Sequence, residues 1–212
     1  MTPLRLAILL SGRGSNFQAI HEAVRSGALD AKIVCVISNR PDAPGIARAR
    51  QYGYEAHAID HKALANRAAH EAEVLRVLDA AQPDFIVLAG YMRLLSASFV
   101  DRWRNRILNI HPSLLPAFPG VDAQAQAVAH GVRVSGCTVH LVDEHLDAGP
   151  ILVQRTVPVL DSDDADTLAA RILEQEHAAY VEALQKLSTG YRLEGRRVLF
   201  TPPRHEPATS NP

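Results

Sequence analysis

The sequence predicts an α/β fold, a mostly parallel twisted sheet with helices on both faces. Three observations carry that reading. Leu4 to Leu10, Ile33 to Ile37 and Phe85 to Ala89 are short, nearly continuous apolar runs rich in branched residues, as expected of strands covered on both faces. Helical patterns fill the gaps between them, so strand and helix alternate along the chain. Alternation of this kind builds a parallel sheet through right-handed crossovers.

Taken in order, the strand at Leu4 to Leu10 is followed by a helix over Asn16 to Arg25, after a Ser-Asn cap signal. The strand at Ile33 to Ile37 is followed by a helix over Ala43 to Gln51, and Lys62 to Ala80 reads as a longer helix ended by Pro83. Phe85 to Ala89 leads into a turn at Gly90. Ile107 to His111 is a further strand, ended by Pro112, which removes a backbone donor and biases His111 towards extended conformations. Ala123 to Ala129 is a short helix closed by Gly131, and the segment from Gly136 is a strand running into a turn at Gly149-Pro150. Ile151 to Val157 is another strand, and Val198 to Phe200 can form a last edge strand. Between them Asp164 to Leu187 is a long helix that can start on the Asp161-Ser162-Asp163-Asp164 cluster, because carboxylates favour a helix N-terminus. Residues 1–200 are expected to form one domain and the proline-rich segment 201–212 a disordered tail.

With 212 residues, 47% hydrophobic and 21% charged, the chain has the composition of a soluble globular protein with a sizeable core. A net charge of −1 gives no bulk attraction to nucleic acid or membrane, so an anionic substrate must be held locally. The first apolar run is too short for a signal peptide or a spanning helix, from which a cytoplasmic location is expected. Cys35 and Cys137 fall in predicted buried strands and are read as reduced thiols. None of the ten histidines has companions at C-x-x-C or H-E-x-x-H spacing, so no metal is expected.

Asn109 and His111 lie two apart on a predicted strand, so their side chains point the same way, at the carboxyl edge where open α/β sheets put their chemistry. Asp147 stands just before the Gly149-Pro150 turn. If the two strand ends are neighbours, its carboxylate orients the His111 ring and makes it a usable acid. Singly, His111 can be read as capping a turn and Asp147 as an Asx-turn; joined to Asn109 they read as a catalytic set. Ser11-Gly12-Arg13-Gly14-Ser15-Asn16 joins the first strand to the first helix, where free N–H groups and the helix dipole suit a phosphate. It is not a dinucleotide fingerprint, because Phe17 stands where the third glycine is needed. A plain capped turn remains open for this G-x-G taken alone.

These segments, together with Leu88-Ala-Gly-Tyr-Met-Arg-Leu-Leu95 and Gln175-Glu-His177, resemble the formyltransferases that use a reduced-folate formyl donor. The resemblance runs from about Leu6 to about Tyr180. It implies a Rossmann-like formyltransferase fold and direct transfer of a formyl group from N10 of 10-formyltetrahydrofolate to the amine of glycinamide ribonucleotide, a step of purine synthesis. It assigns catalysis to Asn109, His111 and Asp147, the ribonucleotide phosphate and its neighbourhood to Gly14, Ser15 and Asn16, and the ribose to Glu176. Folate contacts go to Arg67, Met92, Arg93, Leu94, Leu95, Asn109, Val142 and Asp143, with Arg93 near the donor's glutamate carboxylate. Without the resemblance, Met92, Leu94 and Leu95 read as core side chains and Arg67 as a solvated helix charge.

Leu173, Ala148 and Gln124 depart from the family's pattern. The partners implied are the two small molecules, with neither nucleic acid nor membrane; oligomeric state stays open, a homodimer among the options. Three other readings compete. A 10-formyltetrahydrofolate hydrolase would need an extra N-terminal regulatory domain, whereas the first core strand begins at Leu4; a methionyl-tRNA formyltransferase would need a basic C-terminal domain. A non-catalytic phosphate-ligand-binding α/β module would leave Asn109, His111 and Asp147 unexplained.

Overall fold

The computed structural model describes residues 2–201. Its strands form one nine-stranded sheet in the order β3-β2-β1-β4-β5-β6-β7-β9-β8. β1 (Leu4–Leu10), β2 (Ala31–Ser38), β3 (Ala56–Ala58), β4 (Phe85–Leu88) and β5 (Ile107–His111) run parallel. β6 (Val134–Leu141) is antiparallel to β5 and to β7 (Ile151–Pro158), so the sheet is mixed beyond β5. β9 (Arg197–Phe200) lies parallel to β7 and pairs antiparallel with β8 (Tyr191–Glu194).

The absence of alternation in the apolar runs has a direct cause. Leu6, Ile8 and Leu10 of β1 share a core with Phe17 and Ile20 of α1 (Ser15–Arg25), Ile46 of α2 (Pro44–Gln51), and Leu168, Ile172 and Tyr180 of α6 (Ala165–Ser188). Ala7 and Leu9 face the other way, onto Val74, Val77 and Leu78 of α3 (Arg67–Ala81) and Phe99 and Val100 of α4 (Ala97–Arg102). Both faces of β1 are therefore buried, and apolar side chains are required at every position from Leu6 to Leu10. Cys35 and Cys137 are free buried thiols, one in each core, and burial pushes each up to about 12, which keeps them protonated.

The helix expected from Lys62 starts five residues later, at Arg67. Asn66 caps it by accepting the Ala69 N–H at 2.9 Å, while the Asp60 carboxylate takes the Lys62 N–H at 2.9 Å and holds the intervening chain in a turn. Three elements had no expectation: β3, α4 and β8. Each is only three to six residues long and is fixed by its neighbours; α4, for example, is capped by Ser96, itself held by the Glu71 carboxylate through the Ser96 N–H at 2.8 Å. Of the tail expected from residue 201, Thr201 donates its N–H to Gly190 at 2.9 Å, and the rest lies outside the described residues. No helix among the described residues is long and apolar enough to cross a membrane.

Candidate active site

The parallel strands end along one edge, and β6 brings a second set of polar side chains to it. Its antiparallel register sets Asn109 opposite His140 and His111 opposite Thr138. Leu108, Cys137, Val139 and Leu141 point into the α6 core, so by strand alternation Asn109, His111, Thr138 and His140 share the other face. The loop after β6 folds back over them. Gly149 makes that path possible: its backbone presses so closely on the Leu141 carbonyl that a Cβ would fall onto the oxygen.

Asp147 sits in this loop with φ of +50°, a left-handed conformation that Asp and Asn adopt more readily than most residues. Its Oδ2 accepts the Gly120 N–H at 2.8 Å and lies 3.4 Å from His111 Nδ1; its Oδ1 lies 3.8 Å from His140 Nε2. All three side chains are less than a tenth exposed. The anticipated approach of Asp147 to the His111 ring is therefore present. His111 Nε2 hydrogen-bonds the Phe118 carbonyl at 2.8 Å, and a carbonyl only accepts, so that nitrogen carries a proton. Both ring nitrogens face protein acceptors, and the Nε2 proton reaches a substrate only when Phe118 yields its place.

His140, buried on the same face of β6, has Asn109 as its nearest side-chain partner. Burial holds its pKa below the ordinary imidazole range, so the ring is neutral at pH 7. Its Nδ1–H serves the Leu141 carbonyl at 3.0 Å, which leaves Nε2 as an acceptor, 3.3 Å from Asn109 Nδ2. That contact fixes one N–H of the Asn109 amide and leaves the other for a ligand. Thr138 had no expectation attached. Its hydroxyl donates to the Ser113 carbonyl at 2.7 Å and accepts the Leu115 N–H at 3.0 Å, holding the chain just after His111. The signal was in the sequence: Thr138 and His140 are alternate positions in the otherwise apolar Cys137–Leu141 end of the strand.

At the end of β1, Gly14 caps α1 with φ of +69°, and a Cβ there would stand 3.2 Å from Leu10 Cδ2, so glycine is required. The first helical bond runs from the Gln18 N–H to the Gly14 carbonyl at 2.9 Å, so the N–H groups of Ser15, Asn16 and Phe17 have no partner within the helix. Two carbonyls of the loop are turned towards α2: Gly12 accepts the Gly45 N–H at 3.0 Å and Arg13 accepts from Arg48 at 3.2 Å. Because peptide units are trans, the N–H groups of Arg13 and Gly14 point the opposite way. Across from the loop, Asn16 Nδ2 donates to Glu176 Oε2 at 2.9 Å. Burial raises Glu176, opposed by the Asn16 hydrogen bond and by His111. Asn16 Oδ1 is buried with no donor, an orphan that a ligand hydroxyl would satisfy.

The remaining expected residues lie beyond the ends of β4 and β6, apart from Arg67. Met92 and Leu94 are 79% and 68% exposed, not the core side chains they resemble in isolation. With Tyr91, Leu95 and Val142 half-buried beside them, they leave apolar surface that a flat ring can cover. Arg93 is half-buried, and its charge adds to the burial that lowers His70. Asp143 accepts the His145 N–H at 2.9 Å within the loop. Arg67 is the first residue of α3, exposed and without an ion pair among the described residues. No group of three or more metal-ligating side chains with a metal's spacing occurs among the described residues.

A mixed α/β sheet that gathers a carboxamide, two imidazoles and a carboxylate at one edge, beside a glycine-turned helix N-terminus, has the layout of a group-transfer enzyme. Residues 4–184 match the family model described as formyl transferase, and the chain belongs to that family. Phosphoribosylglycinamide formyltransferase of Escherichia coli (strain K12) is 42% identical over 177 residues, which are 84% of each chain. Trifunctional purine biosynthetic protein adenosine-3 of Drosophila melanogaster is 50% identical over 191 residues, 89% of this chain; the match spans 14% of that much longer protein. Glycinamide ribonucleotide transformylase 1 from Symbiobacterium toebii superposes with a TM-score of 0.91 at 46% identity, over 94% of both chains.

Proposed function

We propose that the protein transfers the formyl group of 10-formyltetrahydrofolate directly to the amine of glycinamide ribonucleotide, giving formylglycinamide ribonucleotide and tetrahydrofolate in purine synthesis. The observation that carries this reading is the convergence of Asn109, His111 and Asp147, with a 3.4 Å approach of carboxylate to ring, inside a chain of this family. Attack of the amine on the formyl carbon develops negative charge on the formyl oxygen. The free N–H of Asn109 is placed to stabilise it, because His140 holds the other. His111 supplies a proton to the departing N10 nitrogen once Phe118 gives way, and Asp147 stabilises the imidazolium and helps to relay a proton from the amine.

The acceptor's phosphate fits the N–H groups that open α1, at Gly14, Ser15 and Asn16, where the helix dipole favours an anion. Glu176 and the orphan Asn16 oxygen suit ribose hydroxyls. The folate lies over Met92, Leu94 and Leu95 against Val142 and Asp143, with Arg93 and Arg67 as the cations for its carboxylates. Residues 1–200 act as one domain on small molecules alone, without a metal; the cytoplasmic location expected from the sequence belongs to the same proposal. The test is to mix the protein with a 10-formylfolate donor and follow donor absorbance with and without glycinamide ribonucleotide. Consumption that depends on the amine supports the transfer. Consumption without it would make the protein a hydrolase, and none at all would leave a binding module.

A further inference from the structure

We infer that the Ser11 hydroxyl, oriented by Asn39, is a positioning residue for the formyl donor: it extends the β1–β4 ladder past the strand ends and thereby fixes the segment that carries Met92 to Leu95. This rests on the proposed assignment of that segment to the folate. β1 and β4 pair in parallel as far as Leu9 and Leu88. Beyond them the Ala89 N–H bonds the Leu9 carbonyl at 2.8 Å and the Ser11 N–H bonds the Gly90 carbonyl at 3.0 Å. At Gly90 the chain turns away with φ of +76°. The next donor, the Met92 N–H, is taken by the Ser11 side chain at 2.8 Å. The hydroxyl thus stands where a backbone carbonyl would continue the ladder.

A hydroxyl rotates freely, and its usefulness as an acceptor depends on where its own proton goes. Here the proton is committed: Ser11 Oγ donates to Asn39 Oδ1 at 2.6 Å, and both residues are buried, at 5% and 3% exposure. Asn39, at the end of β2, is held in turn through its carbonyl by His61 Nδ1 at 2.8 Å. Three neighbouring strand ends are therefore locked through one buried oxygen.

The experiment compares Ser11→Ala and Ser11→Thr with the unaltered protein by steady-state kinetics and by amide hydrogen exchange at Met92. Loss of one buried hydrogen bond is expected to raise KM for the formyl donor by about 3- to 10-fold, with kcat and KM for glycinamide ribonucleotide within about 2-fold. Ser11→Thr, which keeps the hydroxyl, should hold the donor KM near that of the unaltered protein; Met92 exchange should quicken in Ser11→Ala alone. Equal rises in both KM values, or an unchanged donor KM with unchanged Met92 exchange, would overturn the inference. An unaltered protein that fails to formylate the amine defeats the proposed reaction instead, and the exchange at Met92 still reads the latch by itself.

Discussion

Replacing Asp147 by Asn removes one charge, and with it the carboxylate's capacity to relay a proton, while sparing the local backbone and hydrogen-bonding geometry. Asn tolerates the left-handed backbone at this position, and its single carbonyl oxygen can take over from Oδ2, which serves both Gly120 and the approach to His111. At 3.4 Å and an effective dielectric constant of roughly 20, a carboxylate and an imidazolium attract by about 5 kcal/mol. Desolvation of two buried groups offsets part of this. If about 4 kcal/mol is expressed in the transition state, where His111 is charged, kcat falls by roughly 10³. Stopped-time and continuous assays of donor consumption at saturating substrates measure it, with KM values and the melting temperature checking that binding and fold are retained. A well-folded Asp147→Asn protein with kcat within about tenfold of the original would refute the electrostatic role, because one decade is about 1.4 kcal/mol.

Asn109→Ala is expected to lose about 10²–10³ in kcat through removal of an oxyanion donor, while folding normally; an unchanged kcat removes Asn109 from the mechanism. Glu176→Gln keeps a hydrogen-bonding group beside Asn16 but loses the charge, and should raise KM for glycinamide ribonucleotide by about tenfold or more with a smaller effect on the donor KM. Stability should fall on acidification below about pH 6.5, the ordinary histidine value, because burial lowers His21, His70, His140 and His177 and the unfolded chain then binds the protons the folded one refuses. His140→Gln should flatten that fall by up to about 1.4 kcal/mol per pH unit, read from denaturant unfolding between pH 7 and 5. Glu176 works in the opposite sense: its raised pKa gives stability below the ordinary carboxylate value that is lost as pH rises through the folded one, so the histidine slope is best read above that range.

The parallel half of the sheet was legible because burial on two faces forces apolar side chains at successive positions, a constraint written locally at Leu6 to Leu10 and Phe85 to Leu88. Turn residues were legible for a similar reason: Gly14, Gly90 and Gly131 all have positive φ, which other residues adopt with strain. β3 and α4 were not, since a three-residue edge strand and a six-residue helix owe their shape to neighbours such as β2 and Glu71. The reversal at β6 also left no local mark. Strand direction depends on how the connection returns, and Val134 to Leu141 would read alike in either sense.

The sequence by itself determined which chemical groups are available at the edge: a carboxamide and an imidazole two apart before a proline, a carboxylate before a glycine turn, and a glycine-bent corner ahead of a helix. Tertiary structure decided what each group faces. It set His140 against Asn109 rather than His111, gave the His111 Nε2 proton to Phe118, and made the Ser11 side chain a rung of the ladder. Residue types and short spacings follow from local backbone geometry, whereas the partner of a buried polar atom depends on strands far apart in the chain meeting in one register.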